Sequence, residues 1–155
     1  MRYLYFNQYC SIMKRLISLF FVLAIMVGCS TVPVTGRKQL SLIPDSQLFP
    51  MSYQSYNEVL KENKLSDNQQ QVDMIKSVGH KIQQSVEDFM AERDQSEQLE
   101  EYEWEFNLIE SDQVNAWCMP GGKVAFYTGI MPICQDEAGV AVVMGHEVAH
   151  AIASH

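Results

Sequence analysis

Apolar and polar residues along this chain follow two different periods, and the switch between them marks its architecture. From Asp45 to about Asn63 the pattern is helical, with Pro50 expected to disturb the first turns. A second helix is predicted to start around Leu65–Gln69, where Ser66 and Gln69 stand in capping-box spacing. Val72, Ile75, Gly79, Ile82, Val86, Phe89 and Met90 then recur at steps of three and four, which makes one buried stripe. His80 falls off that stripe beside Lys76, Gln83 and Gln84, so it is expected to be exposed and without a chemical role. The acid-rich run Glu87 to Glu105 reads as a solvated helix end and loop, because it lacks the D-x-D-x-D-G spacing of a calcium loop.

The period then becomes two. Tyr102, Trp104, Phe106 and Leu108 alternate with Glu103, Glu105 and Asn107, which predicts a strand with one wet face. Val114 to Met119 gives a second short strand, Pro120-Gly121-Gly122 a turn, and Lys123 to Thr128 a third strand with Val124, Phe126 and Thr128 on one side. Pro132 and Asp136 lead into a last helix. Helices, then a small sheet expected to be antiparallel, then a further helix predict an α+β fold that is mostly helical.

That last helix carries the chemistry. Glu137 to His155 contains no proline, and Asp136 can cap its start. Within it His146-Glu147-Val148-Ala149-His150 spells H-E-x-x-H. Residues four apart on a helix share a face, so His146 and His150 can hold one Zn²⁺ between them. Glu147 can then serve as general base toward a water on the ion, the pattern of a zinc peptidase. The neighbours on the histidine face (Gly139, Val142, Val143, Ala149, Ala153) are small or β-branched and leave room for metal and peptide. A buried helix whose histidines only satisfy hydrogen bonds is the alternative; it leaves a carboxylate beside them without metal or proton partner. His155 lies about 180° round the helix from His146, so it is read as a surface residue and not as a third ligand. A catalytic zinc takes three protein ligands and an open position, and this sequence supplies two. Residues 45–155 are therefore read as the front part of a metallopeptidase domain, with the third ligand expected beyond His155.

The front of the chain has a different character. Lys14 and Arg15 form a basic pair, Leu16 through Val27 an apolar run interrupted by Ser18, and Met26-Val27-Gly28-Cys29 resembles a bacterial lipobox. Residues 1–28 are expected to be a lipoprotein signal, with Met13 as a possible true start; a plain transmembrane anchor is the alternative. Cys29 would then carry lipid, and Ser30 after it resembles an outer-membrane address. Residues 29–44, with Pro33, Gly36 and Pro44, read as an extended tether.

Charge narrows the partners. The chain carries a net charge of −8. Without Arg2, Lys14 and Arg15 it keeps 8 basic and 19 acidic residues, a net −11, over the 127 residues from Cys29 on. That balance argues against nucleic acid and against electrostatic docking on anionic lipid, so membrane attachment falls to the acyl chains. Of four cysteines, Cys10 precedes the signal and Cys29 is the lipid site. Cys118 and Cys134 flank the predicted hairpin; a disulfide and two free buried thiols both remain open, and zinc ligation is disfavoured because C-x-x-C spacing is missing.

Three stretches in order resemble a known family: Pro33-Val34-Thr35-Gly36-Arg37-Lys38-Gln39-Leu40, Asn115-Ala116-Trp117-Cys118-Met119-Pro120-Gly121-Gly122-Lys123, and Glu137-Ala138-Gly139 through His150. They are similar to the periplasmic lipoprotein branch of the HtpX and CAAX-prenyl-protease type of zinc endopeptidases, of the LoiP kind. The resemblance implies a zincin-like fold with a gluzincin site whose third ligand is a glutamate on a later helix. It implies that Asn115, Ala116 and Trp117 line the substrate cleft as an edge strand that an extended peptide can join. It also implies hydrolysis of misfolded envelope proteins at the periplasmic face of the outer membrane. The rival expectation is an inactive, lipid-anchored module that binds unfolded chains. A further rival is a structural lipoprotein in which zinc only holds the fold.

Overall fold

The computed structural model describes residues 13–15, 29–31, 38–40 and 44–153. The lipobox residues before Cys29, Cys10 and His155 lie outside them. The chain divides into two compact units. In the first, β1 (Cys29–Thr31) and β2 (Lys38–Leu40) pair antiparallel, with Cys29 opposite Leu40. Of the segment read as an extended tether, residues 32–37 and 41–43 lie outside the described residues.

The second unit holds the rest. α1 (Asp45–Glu62) starts after Pro44 and runs through Pro50 as one helix. So near the N-terminus the proline forgoes only the bond to the Ser46 carbonyl, and the expected disturbance does not break the helix. α2 (Gln69–Ala91) is capped by Asn68, whose side-chain oxygen accepts from the Gln71 amide at 3.3 Å. Ser66 instead accepts from the Asn68 amide, also at 3.3 Å, so the capping box expected at Ser66 is replaced by a turn that sets up Asn68. Ile75, Val78, Gly79 and Met90 are its buried positions. Gly79 is bare because a Cβ there would lie 2.4 Å from Phe106 Cγ. His80 is exposed, as its position predicts, and stands edge-on to the Phe106 ring at 5.6 Å.

A short 3₁₀ turn (Ser96–Leu99) leads to the sheet of β3 (Glu105–Ile109), β4 (Ala116–Met119) and β5 (Lys123–Tyr127). The order is β3-β5-β4; β4 and β5 are antiparallel, but β3 and β5 are parallel. The sheet is therefore mixed, where an antiparallel one was expected. The reason lies in β5. Val124, Ala125 and Phe126 are all 0% exposed, so both faces of this strand need cover and it takes the centre. The hairpin at Pro120-Gly121-Gly122 is as expected, with both glycines at φ 85°. Lys123, only 6% exposed, pairs with Glu103 and Glu105 at 3.4 and 3.3 Å.

Thr128–Ile130 and α3 (Met131–Cys134) then carry the chain to α4 (Glu137–Ile152). Asp136 caps α4, its carboxylate accepting from the Gly139 amide at 3.0 Å. The layers are α1, sheet, then α2 with α4. One core joins Ile75, Phe106, Leu108, Val124, Phe126, Val140, Met144 and Val148 between the sheet and α2/α4. A smaller one joins Tyr56, Ile109 and Ala125 under α1. Tyr56 fastens α1 to the sheet: its hydroxyl donates to the Val124 carbonyl at 2.8 Å and accepts from Asn107 at 3.1 Å. Burial pushes that phenol well above its ordinary range. No helix among the described residues is long and apolar enough to cross a membrane.

Candidate metal centre

The metal helix is oriented by its apolar stripe. Val140, Met144 and Val148 recur every fourth residue, are 0 to 1% exposed, and lock one side of α4 onto the sheet. The opposite side stays open: Val142 is 74% exposed, and His146 and His150 are exposed. The two imidazoles face each other across one helical turn. Their Nε2 atoms are 3.1 Å apart, and the ring centroids lie 4.4 Å apart with the planes at 83°.

That spacing suits a shared ion. Two nitrogens at about 2.05 Å from a tetrahedral zinc stand about 3.3 Å from one another. Neutral imidazole is also the donor that zinc favours. Among the described residues no group of three His, Cys, Asp or Glu side chains is placed to hold a metal.

Glu147 is half-buried, and its charge acts on a residue of β4. Its neighbour there is Cys118. Burial, and secondarily the Glu147 charge, push the Cys118 thiol up to about 12. Cys134 is buried at the end of α3, and burial raises its pKa too. Cys118 and Cys134 are both free, so the bridge that the sequence left open is not made here.

The cleft-lining trio divides. β4 is the edge of its sheet. Asn115 is exposed just before it, and its carbonyl accepts from the Tyr127 amide at 3.1 Å. Antiparallel alternation from that bond leaves the N–H and C=O groups of Ala116 and Cys118 on the outer edge. Ala116 and Cys118 pack with the α4 core. Trp117 points to the other face of the sheet, where its indole N–H donates to the Tyr127 hydroxyl at 3.3 Å and its ring meets Tyr56 edge-on at 5.7 Å. Its side chain is thus turned away from the metal helix, and its backbone groups face Ala125 of β5 and not the outer edge. Cys29 lies in β1, in the other unit.

Sequence reasoning missed the closeness of Cys118 to Glu147. A signal was present, since alternate residues share a strand face and Ala116 and Cys118 therefore go together. Which helix that face meets is a tertiary fact with no local mark.

A histidine pair one turn apart, an adjacent glutamate and an edge strand alongside define half of a zincin-type metallopeptidase site. Residues 76–155 match the model of peptidase family M48, and the chain belongs to that family. The chain is 26% identical over 140 residues to the mitochondrial metalloendopeptidase OMA1 of Bos taurus, which covers 88% of this chain and 25% of that protein. Over 57 residues it is 42% identical to the mitochondrial metalloendopeptidase OMA1 of Schizosaccharomyces pombe, covering 37% of this chain and 17% of that one. The Arabidopsis thaliana relative of the same name is 44% identical over 57 residues, 37% of this chain and 12% of its own length. The chain thus spans a quarter or less of these relatives. No solved structure matches it. M48 is a peptidase family, and the relatives' names describe metalloendopeptidases.

Proposed function

We propose that this chain supplies two zinc ligands, His146 and His150, and the general base, Glu147, of an endopeptidase that cuts misfolded proteins in the bacterial envelope. The facing Nε2 atoms 3.1 Å apart carry the reading. When bound there, zinc would polarise the scissile carbonyl and lower the pKa of the attacking water. Glu147 accepts the proton from that water as its oxygen adds to the carbonyl carbon, and delivers it to the departing amine nitrogen as the C–N bond breaks. The outer edge of β4, with the Ala116 and Cys118 backbone groups, holds an extended substrate by strand addition, and Asn115 stands beside it.

The third protein ligand, a glutamate in this reading, belongs to sequence outside these residues. In this reading residues 1–28 act as a lipoprotein signal, Cys29 carries lipid and Ser30 serves as an outer-membrane address, as in the periplasmic lipoprotein branch of the HtpX type. The lipobox-like Met26-Val27-Gly28-Cys29 and the acidic charge support that placement. The mitochondrial names of the relatives belong to those proteins and share with this reading only the chemistry.

Zinc-dependent cleavage of casein by protein that also carries the third ligand tests the reading, with Glu147→Gln as the control; this chain by itself is expected to be inactive. Cleavage that Glu147→Gln abolishes while zinc content stays the same supports it. Cleavage that survives the substitution refutes the role of Glu147.

A further inference from the structure

The hairpin at Pro120-Gly121-Gly122, which ends the edge strand, is held by a helix that the chemistry above does not use. Ser52 and Tyr56 share a face of α1, and Tyr53 stands beside it. Each meets a different residue of the hairpin. Ser52, 7% exposed, donates its hydroxyl to the Pro120 carbonyl at 2.7 Å. The Tyr53 ring lies so close to Gly121 that a Cβ there would come within 2.4 Å of the phenol oxygen. Tyr56 donates to the Val124 carbonyl at 2.8 Å. The Lys123 ammonium stands 4.8 Å from the Tyr53 ring centroid and 6.0 Å from that of Tyr56. The turn is thus gripped along its length.

The grip is directional. A buried hydroxyl must find its partner in one geometry, so a helix bonded to the carbonyls of Pro120 and Val124 cannot slide along the sheet as an apolar one could. Pro120 follows Met119, the last residue of β4, so the Ser52 bond pins that end of the edge strand. The other end is pinned near the start of β4. There Thr128 Oγ1 donates to the Ser111 carbonyl and accepts from the Ser111 amide, both at 2.9 Å, and the Gly129 amide donates to the same carbonyl at 2.8 Å. Between the pins the outer edge of β4 has no neighbouring strand to hold it. Its height and register therefore depend on its two ends. A small shift at either end would lengthen several hydrogen bonds to a paired peptide at once.

We propose that α1 is a clamp for the substrate edge, with Ser52 and Tyr56 as positioning residues that hold β4 where an extended peptide can pair with it. The proposal rests on the strand-addition reading given above. Its test reads peptide binding by this chain, measured by fluorescence anisotropy. The probe is a labelled decapeptide of alternating threonine and valine, and its fully N-methylated form, which has no N–H to pair, is the control peptide. Ser52→Ala, Tyr56→Phe and the double variant remove the carbonyl bonds with little change of shape. Gln54→Ala, which removes only a surface bond to Glu58 at 2.9 Å, controls for helix stability. Circular dichroism checks folding, and Ser52→Ala alone decides if Tyr56→Phe does not fold. The imidazole NMR resonances of His146 and His150 report on the metal helix. Ser52→Ala and Tyr56→Phe are each expected to weaken binding about five-fold, the weight of one hydrogen bond, with the imidazole resonances unmoved and Gln54→Ala like the native chain. Unchanged peptide affinity in the folded variants overturns the clamp. So does a parallel shift of the imidazole resonances, which would mean general loosening. A native chain that binds neither peptide, or both equally, overturns strand addition and the clamp with it. Casein cleavage by protein that carries the third ligand is read separately. Clamp-dependent binding without cleavage upholds the clamp while overturning the endopeptidase reading.

Discussion

The two sides of α4 obey opposite rules. One side, Val140, Met144 and Val148, is shut away in the main core. The other, Val142, His146 and His150, stands open although one of the three is a large apolar residue. The buried side sets the helix's rotation, and that rotation presents both imidazoles outward. Burial here is positioning, and exposure is chemistry. The two sides should therefore respond differently to substitution.

The largest difference is expected at Glu147. Glu147→Gln should lower peptide hydrolysis by about 10²–10⁴-fold, the range for loss of a general base, while the melting temperature stays within a degree or two. A parallel fall in stability would show that this residue belongs to the structural side. Cys118 gives an effect of similar size in a reaction rate. With its pKa at about 12 against 9.0 for a free thiol, its thiolate fraction near pH 8 is reduced about a thousand-fold, and alkylation should slow in proportion until the protein unfolds. Because the folded pKa is the raised one, this thiol favours the fold fully below pH 9, and that contribution is lost as pH climbs toward 12. Fast labelling in the native state would break the placement of Cys118 between β4 and α4.

On the buried side, Met144→Ala should cost about 3 kcal/mol in denaturant unfolding, since Met144 is fully enclosed, yet leave the site chemistry intact in the fraction still folded. The smallest effect belongs to the cap. Asp136→Ala removes the bond to the Gly139 amide and should cost about 1 kcal/mol with no change in zinc affinity.

Much of this contrast is legible in the sequence because it is local. The spacing of His146 and His150, the Asp136 cap and the glycine turn at 121–122 each depend on neighbours within a few residues. The α+β class follows from the change of period. What escaped the sequence is long-range. The insertion of β5 between β3 and β4 needs the knowledge that Ala125 is buried as deeply as Val124 and Phe126, and alternation suggests otherwise. Trp117 reads as a cleft residue from its motif, but only the sheet's packing on Tyr56 shows that its ring faces α1. The start of α2 moved because Asn68 outcompetes Ser66 as a cap, a choice between two good capping residues three-dimensionally decided. Cys118 acquired its proximity to Glu147 in the same way, from the meeting of a strand face with a helix.

The central claim is that His146 and His150 grip one zinc ion together. X-ray absorption at the zinc K-edge of the zinc-loaded protein tests it most directly. Two imidazole nitrogens at about 2.0–2.1 Å are expected, one lost in His146→Ala or in His150→Ala and both in the double variant. An imidazole signal that persists unchanged in the double variant would contradict the account.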